Sequence, residues 1–238
     1  MSTVICVDGL GGHPEVTFGY LKKVLNKGGH TVVLPSTFHV HSHEDRVRLA
    51  LRAFDMCDDT SIFLLGQSAG GSAVRIAAER LSKVGRHLSG VIQLSPAMPF
   101  GILFMTPTLL RAIGKRWHEL LRGEKIIPTR EEYAALVSPL QREIQDRIVS
   151  WRQPISGKEA RTLALAPPRF DGYTFPTLHI FGDQDKWIAP SAQFKLSKKL
   201  GKRSKVSVHE IKGAGHLTLA SEKKEGVARI IQEWIKAT

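Results

Sequence analysis

Residues 61–70 read Ser61-Ile62-Phe63-Leu64-Leu65-Gly66-Gln67-Ser68-Ala69-Gly70, and this stretch decides the fold. The apolar run Ser61–Leu65 has the length and composition of a buried β-strand. It leads directly into a Gly-x-Ser-x-Gly, and Ala69–Val84 continues as an amphipathic helix. Strand, sharp turn and helix in that order lift the Ser68 hydroxyl above the strand end, where a base can reach it. Glycines flank the serine because such a turn leaves little room for a Cβ. In a chain with 21 glycines the pattern alone is weak, and its setting gives it weight.

The same alternation extends outward in both directions. Upstream, Thr3–Val7 is a strand ending in Asp8-Gly9-Leu10-Gly11-Gly12, Pro14–Asn26 a helix, His30–Leu34 a strand and His43–Cys57 a helix. Downstream, Gly90–Leu94, Thr177–Phe181 and Lys205–Ile211 are strands; Pro190 and Ser191 open a helix, and Ser221–Lys236 is the last one. Short β-branched runs between amphipathic segments specify an α/β fold, a doubly wound, mostly parallel sheet of about six strands covered by helices. Between 96 and 176 no strand is evident, and Pro, Met, Trp and helical stretches take over. The expected organisation is a core of residues 1–95 and 177–238 with a helical cap inserted at 96–176.

A serine hydroxyl is a poor nucleophile at neutral pH unless a base takes its proton and an acid orients the base. Ligands of an open α/β sheet bind outside the carboxyl ends of its strands. Thr177–Phe181 runs into Gly182-Asp183-Gln184-Asp185 there, and Lys205–Ile211 runs into Gly213-Ala214-Gly215-His216. His216 is the candidate base, and Asp183 and Asp185 are both candidates for the acid.

On these motifs the chain resembles the α/β-hydrolase superfamily, over essentially its whole length outside 96–176, in the manner of a small serine esterase with a helical cap. The resemblance implies the chain order nucleophile, acid, histidine. It selects Asp185, through the pattern G-x-x-D, and leaves Asp183 as a loop-capping carboxylate. It implies an oxyanion hole made by the backbone N–H groups of Leu10 and Ala69. The common family version opens the first turn with His-Gly, whereas this sequence has Asp8-Gly9. That departure changes the side-chain hydrogen bonding of the turn, not its backbone donors. Larger members have a hairpin ahead of the first strand, so this chain resembles a trimmed core. The expected activity is cleavage of a carboxylic ester, lactone or thioester with an apolar moiety, through an acyl-enzyme on Ser68. The alternatives are a C–C bond hydrolase or lyase using the same triad, and a non-catalytic ligand-binding member of the fold.

Met98, Phe100 and Phe104, with Trp187, are candidates for the wall of an apolar substrate pocket; core packing is the equal reading. His39, His41 and His43 alternate ahead of a helix, a spacing that could hold a metal. A loop lining the crevice is the favoured reading, and no metal or cofactor is expected. His13 either lines the pocket or simply starts the helix at Pro14. Arg111, Lys115, Arg116 and Arg122 lie among Leu109, Leu110, Ile113 and Trp117. Such a basic amphipathic stretch could touch a lipid surface peripherally, although a solvated outer face is the plainer account.

The formal net charge is +12, from 34 Lys+Arg against 22 Asp+Glu. The densest basic run, Lys195 to Lys205, has no aromatic interleaving that would suit bases, so no nucleic-acid partner is expected and the run reads as a solvated helix end. The expected partner is a small acyl substrate. Cys6 and Cys57 read as reduced residues, no secretory signal is visible and no apolar run is long enough to span a bilayer, which points to a cytoplasmic address.

Overall fold

The computed structural model describes residues 1–137 and 139–238. In chain order the core elements are β1 (Thr3–Val7), α1 (Pro14–Lys27), β2 (Thr31–Val33), α2 (His43–Asp55), β3 (Ile62–Gln67), α3 (Ala69–Lys83) and β4 (Gly90–Leu94). A largely helical segment follows: α4 (Pro107–Lys115), α5 (Trp117–Arg122), β5 (Lys125–Ile126), α6 (Arg130–Val137), α7 (Arg142–Ser150), β6 (Ile155–Ser156) and α8 (Gly157–Leu165). The core resumes with β7 (Thr177–Gly182), α9 (Pro190–Leu200), β8 (Val206–Ile211) and α10 (Lys224–Ala237).

The main sheet has six strands in the order β2-β1-β3-β4-β7-β8, every neighbouring pair parallel. Its inner strands are buried along their whole length, as strands covered on both faces must be. The two-residue period of a strand splits their side chains between two cores. Ile5, Val7, Ile62 and Leu64 pack on one face with Val47 and Ala50 of α2 and Val74 of α3. Val4, Cys6, Phe63 and Leu65 pack on the other with Phe18 and Leu21 of α1 and Ile231 of α10. Phe18 is fully buried, so its truncation to Ala costs about 3–5 kcal/mol.

The winding reverses between β1 and β3. From β1 the chain goes out to β2, then returns to lay β3 on the opposite side of β1. The carboxyl ends of these two neighbours carry the turn 8–12 and Ser68, at the switch point where an open α/β sheet has its crevice.

The segment between β4 and β7 is not free of strands. Lys125–Ile126 pairs antiparallel with Ile155–Ser156 as a short ribbon, with Ile126 opposite Ile155 and Leu120 packed on both. Each strand is two residues long, too short for any periodicity to show. Phe104, Leu109 and Leu163 of this segment share one buried cluster with Ile5 and Leu64 of the sheet. The last helix begins at Lys224 rather than Ser221, because Thr218–Ala220 forms a 3₁₀ turn and Ser221 is extended. Cys6 and Cys57 are free, and no helix among the described residues is long and apolar enough to cross a membrane.

Candidate active site

Ser68 joins β3 to α3 with φ 55° and ψ −118°, a conformation that L-residues other than glycine rarely adopt. The flanking glycines permit it. A Cβ on Gly66 would stand 2.3 Å from the Gly70 carbonyl oxygen, and one on Gly70 would stand 2.0 Å from that of Val7. The helix after the serine starts at Ala69, so the Ala69 N–H belongs to the first turn, whose donors have no partner within the helix. Those donors and the helix dipole favour a negative charge developing beside Ser68.

His216 sits on the loop after β8 and is almost fully buried. Its Nδ1 lies 2.8 Å from Asp185 Oδ2. The other oxygen of Asp185 accepts the backbone N–H groups of Trp187 and Ile188, at 2.8 and 3.0 Å. This carboxylate is therefore fixed in place with both oxygens engaged. Asp183 lies elsewhere: it accepts the Gly213 N–H at 2.8 Å and stands 3.8 Å from the Lys212 ammonium, ordering the loop before the histidine. Of the two aspartates, Asp185 alone meets His216. Ser68 and His216 line one pocket, and among the described residues the serine hydroxyl makes no hydrogen bond.

One contact ties the histidine loop to the Ser68 turn and another to the loop after β7. Gln67, buried beside Ser68, donates its amide N–H to the His216 carbonyl at 2.9 Å. The Trp187 ring stacks on the His216 ring at 5.6 Å and 26°. Gln67 Oε1 and Trp187 Nε1 have no partner among the described residues and border the pocket.

The turn 8–12 is built by Asp8. Its carboxylate accepts the Gly9 N–H at 2.7 Å and the Thr17 hydroxyl at 2.8 Å, and burial raises its pKa above the usual carboxylate value despite those bonds. The Asp8 carbonyl accepts an N–H of Arg46, whose other two donors hold Glu159 of α8 at 2.7 and 2.9 Å. Burial alone would raise the Glu159 pKa, but the Arg46 charge and hydrogen bonds, with His43, lower it to about 2. Gln153, just ahead of the ribbon strand β6, donates its N–H to the Gly11 carbonyl at 2.9 Å. Leu10 of this turn lines the same pocket as Ser68 and His216.

A cavity of about 120 Å³ opens from Ser68 and Ala69 into the helical segment. Phe104, Leu109, Ile113, Leu163, Trp187 and Ile188 wall most of it, with Arg116 and Glu132 also on its wall and ion-paired to each other at 2.8 Å. Of the aromatic and Met candidates, Phe104 and Trp187 line this cavity. Met98 does not: it is fully buried in the main core. Phe100 does not either: the residue is 56% exposed, with the Arg169 guanidinium over its ring. Leucine and isoleucine from α4, α8 and the ribbon do that work instead, and their isolated positions carry no motif.

The alternating histidines part company. His43 is buried with Nε2 3.2 Å from the Ser72 hydroxyl, and His39 and His41 lie exposed along a separate cleft. No group of three or more His, Cys, Asp or Glu side chains forms a metal-binding cluster among the described residues. His13 lines the serine pocket and meets the Trp151 ring at a tilt of 60°, with centroids 5.2 Å apart.

No protein-family model matches this chain, and no curated protein matches it. Solved structures do. A monoacylglycerol lipase from Paleococcus ferrophilus superposes with a TM-score of 0.71 at 23% identity, over 98% of this chain and 93% of its own. A thermophilic esterase from Thermogutta terrifontis gives 0.73 at 20% identity, over 100% and 90%. A meta-cleavage product hydrolase from Pseudomonas fluorescens IP01 gives 0.68 at 16% identity, over 100% and 91%. With the parallel six-stranded sheet and the strained Ser68 turn at its switch point, these likenesses establish that the chain has the α/β-hydrolase fold.

Proposed function

We propose that the chain is a serine hydrolase that cleaves a carboxylic ester, lactone or thioester with an apolar acyl group. The observation that carries this reading is the strained Ser68 sharing a pocket with the His216–Asp185 pair, at the mouth of an apolar cavity.

The acyl chain lies in the cavity walled by Phe104, Leu109, Ile113 and Leu163. Ser68 Oγ attacks the acyl carbon while His216 Nε2 takes its proton. The carbonyl oxygen becomes an oxyanion held by the Ala69 and Leu10 N–H groups. The tetrahedral intermediate collapses, the bond to the leaving oxygen or sulfur breaks, and the His216 proton goes to that leaving group. Water then attacks the acyl-enzyme and loses a proton to His216; the second tetrahedral intermediate collapses, the bond to Ser68 Oγ breaks, and His216 returns the proton to Ser68 as the acid departs. Asp185 holds the imidazole so that Nε2 faces the serine and stabilises it when it is charged.

Esters of graded acyl length, lactones and acyl thioesters, assayed with the wild type and Ser68→Ala, test this reading. Labelling of the wild type, and not of the variant, by a fluorophosphonate is the second readout. Full activity in Ser68→Ala would overturn it. C–C hydrolase and lyase chemistries share these residues, and hydrolysis of simple esters through a trappable acyl-enzyme separates the first reading from them.

A further inference from the structure

Beside the serine pocket lies a larger cleft that the mechanism above leaves without a role. It encloses about 590 Å³ between the turn 9–13, the loop 36–41 and residues 123–125 and 153–159 near the ribbon. Its ionisable lining is one-sided. Lys125 and Lys158 line it as cations, and the His13, His39 and His41 imidazoles line it with them. The one carboxylate on its wall, Glu159, is held by Arg46 with two hydrogen bonds, so that pair adds no net charge. Acids close by are also engaged: Asp45 takes the His41 N–H at the start of α2, and Glu124 stands 3.7 Å from Arg122. Lys125 and Lys158 are exposed, and neither is ion-paired among the described residues.

The cleft reaches the reaction centre. Gly9 and Leu10 line both it and the pocket of Ser68 and His216. A methyl group on Gly9 would stand 3.5 Å from the Ser68 hydroxyl oxygen. Leu10 alone, among the described residues, borders the cleft and the apolar acyl cavity together. The two compartments thus differ in chemistry and meet at the turn beside the nucleophile. An ester has two halves, and a bond cleaved at Ser68 needs a place for each.

We propose that this cleft binds the leaving-group half of the ester, and that this half carries an anionic group, a carboxylate or a phosphate. The inference rests on ester hydrolysis at Ser68. During acylation the ester bond breaks, His216 delivers its proton to the leaving oxygen, and the departing alcohol keeps its charged group. Clustered positive charge along a cleft raises the local concentration of an anionic substrate and orients it on approach.

The test uses phenyl esters of one six-carbon acid that differ only at the para position: a neutral carboxamide, a carboxylate and a phosphate. The measured quantity is the ratio of kcat/KM for each anionic ester to that for the neutral one, corrected for the intrinsic hydroxide reactivity of each. The wild type is expected to favour at least one anionic ester about tenfold, and the better of the two identifies the group. In Lys125→Glu/Lys158→Glu that ratio should fall to one or below. Lys195→Glu/Lys198→Glu makes the same charge change on exposed positions of α9, outside the cleft, and should keep the wild-type ratio. A wild-type ratio near one overturns the proposal, as does an equal fall in both double variants. Hydrolysis of none of the three esters by the wild type would remove the ester reading itself, a result distinct from hydrolysis without charge preference.

Discussion

Arg46 and Glu159 are 113 residues apart in sequence, and their side chains form a buried ion pair that ties the core to the helical segment. Arg46 is on α2 and Glu159 on α8; two N–H groups of the first meet both oxygens of the second, at 2.7 and 2.9 Å. The third donor bonds the Asp8 carbonyl at the start of the turn that carries Leu10. Removing one partner leaves a buried charge uncompensated, so Glu159→Gln should destabilise the fold by about 3–5 kcal/mol. Replacing both, as Arg46→Met/Glu159→Leu, should cost less than the sum of the single changes. Urea unfolding of the variants checks this, and a double-replacement cost equal to the sum of the two single costs would contradict the pairing.

The two aspartates after β7 predict opposite outcomes. Asp185→Asn keeps its shape but holds the wrong tautomer of His216, and should lower kcat by about 10³–10⁴. Asp183→Asn keeps an amide oxygen that can accept the Gly213 N–H and loses only the charge facing Lys212, so it should leave kcat within about threefold, at a stability cost below about 1 kcal/mol. Steady-state kinetics on any accepted ester separates them.

With the acyl group placed as proposed, the apolar cavity should set chain-length preference. Ala160 is on its wall, and Ala160→Phe would fill the space that the end of a long acyl chain occupies. Each methylene excluded forfeits about 0.8 kcal/mol, roughly a factor of four in kcat/KM. The variant should keep its rate on acetyl esters while its rate on six- to eight-carbon esters falls by at least about tenfold. A uniform loss across the series would place the acyl group elsewhere.

Stability should fall in mild acid because of His179. Its ring is fully buried between β7 and α9, with Nδ1 2.6 Å from Ser197 Oγ and Nε2 2.8 Å from Gln193 Oε1, and burial lowers its pKa from 6.5 to about 4. The folded chain refuses a proton that the unfolded chain accepts below about pH 6.5. The stability it contributes is complete above that pH and is lost as the pH falls toward 4, by an amount on the order of 3 kcal/mol. Glu159 acts in the same direction in a lower window, from its ordinary 4.5 down to about 2. Melting curves between pH 4 and 7 should be flatter for His179→Gln than for the wild type.

What was legible in the sequence follows from the range of each interaction. The parallel sheet showed itself because buried strands are continuous apolar runs and the intervening helices are amphipathic, both local patterns. Ser68 and His216 stood in local contexts of strand, glycine and turn. Asp185 needed a family pattern, since Asp183 occupies an equally polar position two residues earlier. Arg46, Glu159 and Gln67 carried no signal, because their partners are distant in the chain or are backbone atoms. The apolar cavity was half legible: of the aromatic and Met candidates, Phe104 and Trp187 line it, whereas Met98 is in the core, Phe100 at the surface, and scattered aliphatic side chains build the wall.

The backbone of Ser68 has a consequence for durability. A serine held at φ 55° costs on the order of 1–3 kcal/mol that a glycine would not incur. Ser68→Gly should therefore melt at a higher temperature, by about 2–4 °C per kcal/mol in a chain of this size, while losing its nucleophile. Reactivity and thermal endurance are set against each other at a single residue. Any variant made more heat-resistant by relaxing this turn would gain its endurance at the expense of turnover.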